Sequence, residues 1–229
     1  MLIELATRDR TTTTRFYERA LGFWTEGERL RFGAQSIELV DASRGGHAML
    51  AANDLAFQHF AICVHDIEAA YDRLSEATGW TPTSRGGPVK LPVRSGGVTA
   101  FKFRDPEGHP LELIEFPEQR AEGIDHTAIV VSHTPASIAF YDRLGLEAKA
   151  TTLNHGPTQD ALDGLDGTRV EVTALQPGQA ERPHLELLCY RQPRSTRTPI
   201  TFDDVLATRI VLSSQGREIV DPDGHRLLV

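Results

Sequence analysis

A phrase that occurs three times in this chain decides its fold: FYERALGF at residues 16–23, AYDRL at residues 70–74 and FYDRLGL at residues 140–146. A second phrase occurs twice, as DPEGH at residues 105–109 and DPDGH at residues 221–225. Similar stretches that return at intervals of several dozen residues indicate a duplicated supersecondary unit. The chain is therefore predicted to consist of repeated modules.

The composition is that of an ordinary globular protein, with 229 residues, 40% hydrophobic and 24% charged, which is enough for one large or two small domains. The net charge of −8 and the lack of a Lys/Arg run argue against nucleic-acid binding. No apolar run approaches the roughly 20 residues that span a membrane, and residues 1–5 do not begin a signal peptide. Cys63 and Cys189 form no metal-binding pair and favour a reducing, cytoplasmic location.

The middle of the chain shows one module most fully. Residues 57–64 are typical of a buried strand, and Asp66 then offers a carboxylate to cap a helix. One face of that helix carries apolar residues at helical spacing, namely Ile67, Ala70, Tyr71 and Leu74. Two further strands, over 98–103 and 111–116, are joined by a Pro- and Gly-containing turn. The module is therefore predicted to run β, α and then several antiparallel strands.

The other modules follow the same order. The predicted first strands are 2–6, 124–131 and 207–212, and the predicted helices are 12–20 and a helix that is capped by Thr134. In the last module only residues 213–220 separate the first strand from the turn at Asp221, so a hairpin without a helix is expected. A polar stretch near 118–122 divides the chain into domains over 1–118 and 122–229. The predicted class is α+β, with four modules of which the last is truncated.

These phrases, together with DPEGHPLEL at residues 105–113 and HTAIVV at residues 126–131, resemble the vicinal oxygen chelate (VOC) superfamily over nearly the whole chain. That group includes glyoxalase I, methylmalonyl-CoA epimerase, bleomycin-binding proteins and extradiol dioxygenases. The two-domain organisation is similar to that of glyoxalase/bleomycin-resistance/dioxygenase-like proteins. The resemblance implies paired βαβββ modules that curl into an open cup, with metal ligands on the first and last strands of each module. Because the superfamily spans many reactions, its motifs are specific for fold rather than function.

In the N-terminal half, the resemblance assigns the four ligand positions to Leu2, Glu38, His59 and Glu112. Three of them carry imidazole or carboxylate groups that suit a divalent ion such as Fe, Mn, Ni, Zn or Mg. The predicted metal site is therefore Glu38, His59 and Glu112, with Glu38 or Glu112 released to act as a general base. Each glutamate could instead face solvent, and His59 could be a hydrogen-bonded core residue. If the turn after residue 104 is a four-residue loop, Phe101 faces Glu112.

In the C-terminal half, the corresponding positions are His126, Glu186, Ala207 and Leu228. Only two of them can bind a metal, so a second and weaker site is expected there. An extradiol dioxygenase needs His, His and Glu at the first, third and fourth positions, and only His126 meets this requirement. Two further histidines, His109 and His225, are expected at the rim of the cups rather than as ligands.

Three functions remain open from the sequence. The leading hypothesis is a metal-dependent lyase or isomerase of glyoxalase type that acts on a small oxygenated metabolite. The second is a metal-free binding protein of bleomycin-resistance type, with the cup as an apolar groove. The third is a ring-cleaving dioxygenase with a non-standard site. All three expect a small-molecule ligand and neither nucleic acid nor membrane as a partner, and they leave a homodimer open.

Overall fold

The computed structural model describes residues 1–45, 49–178, 183–213 and 216–229. Four modules follow one another along the chain, at residues 2–41, 58–115, 123–192 and 209–228, and we number them 1 to 4. The predicted α+β class with paired βαβββ modules is confirmed. Among the described residues, no helix is both long enough and apolar enough to cross a membrane.

The first two modules contain nine strands and two helices. Module 1 comprises β1 (Leu2–Thr7), α1 (Arg10–Leu21), β2 (Trp24–Glu26), β3 (Arg29–Phe32) and β4 (Gln35–Asp41). Module 2 comprises β5 (Gln58–Cys63), α2 (Ile67–Ser75), β6 (Thr81–Pro82), β7 (Val89–Lys90), a 3-10 turn (Val93–Ser95), β8 (Thr99–Arg104) and β9 (Pro110–Glu115). The predicted cap of α2 is confirmed, because the Asp66 carboxylate accepts a hydrogen bond from the backbone N–H of Ala69.

The last two modules differ in completeness. Module 3 comprises β10 (Gly123–Val130), α3 (Thr134–Asp142), β11 (Leu146–His155), α4 (Pro157–Asp163), β12 (Arg169–Pro177) and β13 (His184–Gln192). Module 4 comprises β14 (Arg209–Val211), β15 (Glu218–Val220) and β16 (Arg226–Leu228). The sequence predicts no helix over 213–220. Residues 214–215 of this interval lie outside the described residues, and strand β15 begins at Glu218. Helix α3 is capped by His133, one residue before the predicted cap.

The modules pair across the two halves of the chain. Sheet A has the order β15-β16-β14-β1-β4-β3-β2 and joins module 1 to module 4. Sheet B has the order β11-β12-β13-β10-β5-β9-β8-β6, with β7 beside β8, and joins module 2 to module 3. The sequence predicts that each cup forms within one half of the chain, whereas in the structure each sheet joins one module from each half. The division of the chain into domains over 1–118 and 122–229 stays a prediction. Each of the two sheets contains one module from each of these segments.

Burial and charge explain this pairing. Every residue of β5 and of β10 is buried, so these two strands need cover on both faces and lie side by side at the centre of sheet B. Strands β1 and β14 are only partly buried at their starts. In their antiparallel pair Glu4 lies directly opposite Arg209, and the two side chains form an ion pair.

The two recurring phrases contact each other. The Tyr17 hydroxyl of α1 donates to Oδ2 of Asp105 at 3.2 Å, and the Tyr141 hydroxyl of α3 donates to Oδ2 of Asp221 at 3.0 Å. All four side chains are buried. Each contact joins a module to the next one along the chain. The Tyr17–Asp105 contact joins module 1 to module 2, and the Tyr141–Asp221 contact joins module 3 to module 4.

His109 completes the first of these contacts. Its Nδ1 lies 2.7 Å from Oδ2 of Asp105, and its Nε2 lies 2.8 Å and 2.9 Å from the carbonyl oxygens of Ala6 and Val205. Because all three partners are acceptors, both ring nitrogens must donate, and the ring is an imidazolium. Burial alone would lower the pKa of His109, but the Asp105 carboxylate outweighs it and raises the pKa above its ordinary value. His109 thus links β1, the turn after β8 and the segment before β14.

His225 occupies the equivalent place in module 4. Its Nε2 donates to the carbonyl oxygen of Val130 at the end of β10, at 2.8 Å. Both histidines are predicted at the rim of the cups, but both are buried: His109 is 1% exposed and His225 is 5% exposed. Each histidine links the two sheets. His109 precedes β9 of sheet B and contacts β1 of sheet A, and His225 precedes β16 of sheet A and contacts β10 of sheet B.

Candidate metal centre

Four side chains of the kinds that can bind a metal ion lie on one face of sheet B. They come from its four central strands, as His59 on β5, Glu112 on β9, His126 on β10 and Glu186 on β13. In the sheet register Glu112 lies opposite Ala61 and Glu186 lies opposite Ala128, each two residues beyond the histidine of the neighbouring strand. The two His/Glu pairs are therefore related by a local two-fold axis between β5 and β10.

The distances show a compact cluster. Nε2 of His59 lies 2.9 Å from Oε2 of Glu112. Nε2 of His126 lies 3.9 Å from that same oxygen and 3.7 Å from Oε2 of Glu186. One ligand atom from each of His59, Glu112 and His126 falls within 4.8 Å of the others. The arrangement offers two imidazoles and one carboxylate to one position, with the Glu186 carboxylate on the far side of His126.

A β-bulge sets the orientation of His126. The β5–β10 register shifts between Ile124 and His126, so the intervening Asp125 turns toward the same cavity. Oδ2 of Asp125 lies 3.1 Å from Nδ1 of His126. This contact directs Nε2 of His126 toward Glu112 and Glu186, as an outer carboxylate does for a metal-ligating histidine.

The charges of the second pair depend on one another. Burial alone would lower the pKa of His126, but the carboxylates of Glu186, Asp125 and Glu112 raise it to about 9. Burial alone would raise the pKa of Glu186, but His126 lowers it to about 2. In the metal-free protein these two groups are therefore an imidazolium and a carboxylate.

The first pair is in a different state. Burial lowers the pKa of His59, and its hydrogen bond to Glu112 offsets this only in part. Burial would raise the pKa of Glu112, but the bond from His59 and the charge of Lys102 bring it below its ordinary value. His59 is therefore neutral and Glu112 ionised at pH 7, and these are the forms that bind metal ions.

The four side chains lie in a cavity of about 310 Å³ on sheet B. Lys102 also lines it, directly opposite Glu112 on the neighbouring strand β8. The conditional prediction that Phe101 faces Glu112 is wrong, because Arg104 pairs with Pro110 and the turn between them has five residues rather than four. A register change of one residue reverses the two faces of a strand. Phe101 consequently lies in the core beneath α2, opposite Leu113.

The structure does not bring Glu38 to this cavity. Glu38 lies on β4 in sheet A, opposite Glu4 of β1, and Nε of Arg29 lies 3.5 Å from its carboxylate. Of the three residues predicted as one metal site, His59 and Glu112 are together and Glu38 is apart. The physical reason is the pairing of module 1 with module 4, which puts β4 and β9 in different sheets.

The equivalent face of sheet A carries ion pairs. Its four corresponding positions are Leu2, Glu38, Arg209 and Leu228, since Ala207 precedes β14 and Arg209 takes the place opposite Glu4. Arg209 forms ion pairs with Glu4 and, at 3.0 Å, with Glu218. A guanidinium, which cannot bind a metal ion, thus stands at the position of His126 and pairs with the carboxylates around it.

Sequence reasoning assigned His126 and Glu186 to a separate, weaker site and did not single out Lys102 or Asp125. A signal for Lys102 is present, because a lysine between two phenylalanines in an apolar strand points away from the core that the phenylalanines fill. Asp125 carried no comparable signal, since its orientation depends on the bulge.

The comparisons with known proteins agree with this architecture. The family model of the glyoxalase/bleomycin resistance protein/dioxygenase superfamily matches residues 2–113 and 123–228, so the chain belongs to that superfamily. No curated protein sequence matches the chain.

Solved structures share the fold at low sequence identity. A glyoxalase I mutant from Zea mays superposes with a TM-score of 0.61 at 17% identity, covering 99% of this chain and 91% of that one. A second mutant of the same enzyme gives a TM-score of 0.61 at 17% identity, with 99% and 89% covered. Methylmalonyl-CoA epimerase from Mycobacterium tuberculosis gives 0.42 at 18% identity, covering 62% of this chain and 92% of the epimerase. At this identity the likeness to the two glyoxalase I structures concerns the fold.

Proposed function

We propose that this chain is a metal-dependent lyase or isomerase of glyoxalase type that acts on a small oxygenated metabolite. The observation that carries the proposal is the convergence of His59, Glu112, His126 and Glu186 on one cavity. In this set His126 and Glu186 take the part that the sequence analysis gave to Glu38. Two imidazoles and two carboxylates suit Fe, Mn, Ni or Zn, and Mg less well.

The chemistry of the cavity fits such an ion. The neutral His59 and the ionised Glu112 and Glu186 are ready to bind, and Asp125 already orients His126. In the metal-free protein the proton of neutral His59 lies on Nε2, which donates to Glu112, so metal binding at Nε2 requires that proton to move to Nδ1, which is buried and has no hydrogen-bond partner among the described residues. A divalent ion bound there would act as a Lewis acid toward a negatively charged substrate oxygen.

The two glutamates are suited to different tasks. Glu112 is 7% exposed, accepts a bond from His59 and lies opposite the Lys102 cation. Glu186 is more exposed, at 21%, with Nε2 of His184 3.4 Å from one of its oxygens and Nε2 of His126 3.7 Å from the other, and so is the more accessible of the two to a substrate. We therefore assign Glu186 as the base that takes a proton from the substrate carbon, and Glu112 as a fixed ligand.

A ring-cleaving dioxygenase is the second candidate, because His59, His126 and Glu112 together supply the two-His, one-carboxylate set of non-haem iron oxygenases. The fourth group, Glu186, favours the lyase or isomerase. Oxygen uptake by the Fe²⁺-loaded protein with catechol would support the dioxygenase, and a protein that binds no metal would support the apolar binding protein.

Metal content tests the assignment of ligands. Tag-free wild-type protein loaded with Zn²⁺ or Ni²⁺ should retain one ion per chain after gel filtration, as measured by elemental analysis. Glu112→Gln should lose most of this ion, because a neutral amide replaces a buried anionic ligand. Glu38→Gln is the matched control in sheet A and should retain it. Equal loss in both variants would contradict the site.

Metal affinity should also depend on pH. Since His126 carries a proton with a pKa of about 9 in the metal-free protein, binding must release that proton. The apparent affinity should therefore rise by about tenfold per pH unit between pH 6 and pH 8. Calorimetry in two buffers of different ionisation enthalpy measures the released proton. An affinity that is constant over this range would show that His126 is not a ligand.

A further inference from the structure

The cavity has a second, polar end beside Glu112. Helix α4, which was not predicted, is inserted between β11 and β12 and packs on β7, β8 and β11. It contributes Asp163, which contacts Lys102, and Gln159, which contacts Asp163, while β11 contributes Asn154 to the lining of the same cavity.

Two buried acceptors at this end have no partner among the described residues. The Gln159 side chain is fixed, because its Nε2 donates to Oδ2 of Asp163 at 2.8 Å. Its Oε1 is buried and unpaired, and so is Oδ1 of Asn154, in residues that are 4% and 9% exposed. An unpaired buried acceptor is costly, so both atoms point to a ligand that donates hydrogen bonds.

Lys102 adds donors without adding net charge. Its Nζ donates to Oδ1 of Asp163 at 2.7 Å, and both side chains are buried. One of the three N–H groups is used in this contact, which leaves two for a ligand. Because Asp163 balances the lysine charge, this end suits a neutral group that both donates and accepts. A hydroxyl group meets both conditions.

We propose that Lys102, Asn154 and Gln159 bind the hydroxyl groups on the tail of the substrate, which is therefore a short α-hydroxycarbonyl or dicarbonyl compound with a hydroxylated carbon chain. This inference rests on the proposed function, because the two oxygens at the other end of the same molecule would bind the metal. Lys102 lies directly across the strand pair from Glu112, so the hydroxyl-binding end of the cavity adjoins the proposed metal ligands.

Comparing two α-hydroxyketones isolates the contribution of the hydroxylated tail to binding. Hydroxyacetone and erythrulose carry the same hydroxyl and carbonyl pair, but only erythrulose continues into a hydroxylated tail. The probe is the Co²⁺-loaded protein, whose visible spectrum reports binding at the metal. Wild-type protein should bind erythrulose about tenfold more tightly than hydroxyacetone, since the tail satisfies buried acceptors.

Three variants of similar side-chain shape separate the outcomes. In Gln159→Met the preference for erythrulose should fall to within about twofold, with hydroxyacetone affinity and cobalt content unchanged. Asn154→Leu provides the same test should Gln159→Met fail to fold. Thr152→Val, an exposed lining residue on β11, is the control and should keep the preference.

The result that overturns this inference is a cobalt-loaded wild-type protein that binds erythrulose no better than hydroxyacetone, or that binds neither. A preference that survives in both Gln159→Met and Asn154→Leu also overturns it. A protein that takes up no cobalt would instead overturn the proposed function, and the inference with it.

Discussion

Replacing His109 by alanine should lower the free energy of unfolding by about 3–5 kcal/mol, which is the range for removing one partner of a buried ion pair. The variant leaves the Asp105 carboxylate buried without its main charged partner, and it leaves the carbonyl oxygens of Ala6 and Val205 without a donor. Urea unfolding with a two-state fit measures the change, and an unchanged m-value would show that the loss belongs to the native state.

The effect should depend on pH in a defined direction. Because the pKa of His109 is raised on folding, its contribution is fully present below the unfolded value of about 6.5 and is lost as the pH rises through the folded value. The difference in unfolding free energy between wild type and His109→Gln should therefore shrink in alkaline buffer.

His225→Ala is the matched control, since His225 donates to the Val130 carbonyl at the equivalent position. It should cost less than His109→Ala. Equal losses for the two variants, with no pH dependence of either, would contradict the buried imidazolium.

Replacing His126 by alanine should abolish stable metal binding. Asp125→Asn, which removes only the outer carboxylate, should weaken binding by about 10–100-fold, and loss of the ligand itself should exceed that. Competition with a fluorescent chelator measures both affinities. His65→Ala, at an exposed histidine before α2, is the control and should bind as the wild type does.

Thermal unfolding gives an independent measure of the same change. Metal bound to the native state raises the melting temperature, so EDTA should lower it for wild type and leave His126→Ala unaffected. An equal response to EDTA in both proteins would place the metal elsewhere.

The repeated phrases were sufficient to predict the modules and their family. They succeed because each phrase is a local device: a tyrosine on the first helix meets an aspartate in the last turn, and both must be present for the contact to form. The repeated phrases do not show which modules pair in a sheet. That pairing depends on the burial of whole strands such as β5 and β10.

The sequence was sufficient to predict the part of the candidate site that lies within one module, but not the part that depends on module pairing. Strand alternation placed His59 and Glu112 on one face, since both belong to module 2. Glu38 had equally suitable chemistry, but its position depended on module pairing and so the sequence could not place it. Which residue of β8 faces Glu112, Lys102 or Phe101, depended on a loop that is one residue longer than a simple turn.

The seam between β5 and β10 makes the two halves of the chain depend on each other. Each half contributes one histidine and one glutamate, and the segment 116–122 that connects them contributes no ligand. The two halves of the chain therefore share the candidate site, and we expect neither half to bind the metal alone. If the connection were cut, metal uptake would become second order in fragment concentration, and the ion would report the reassembly of the halves.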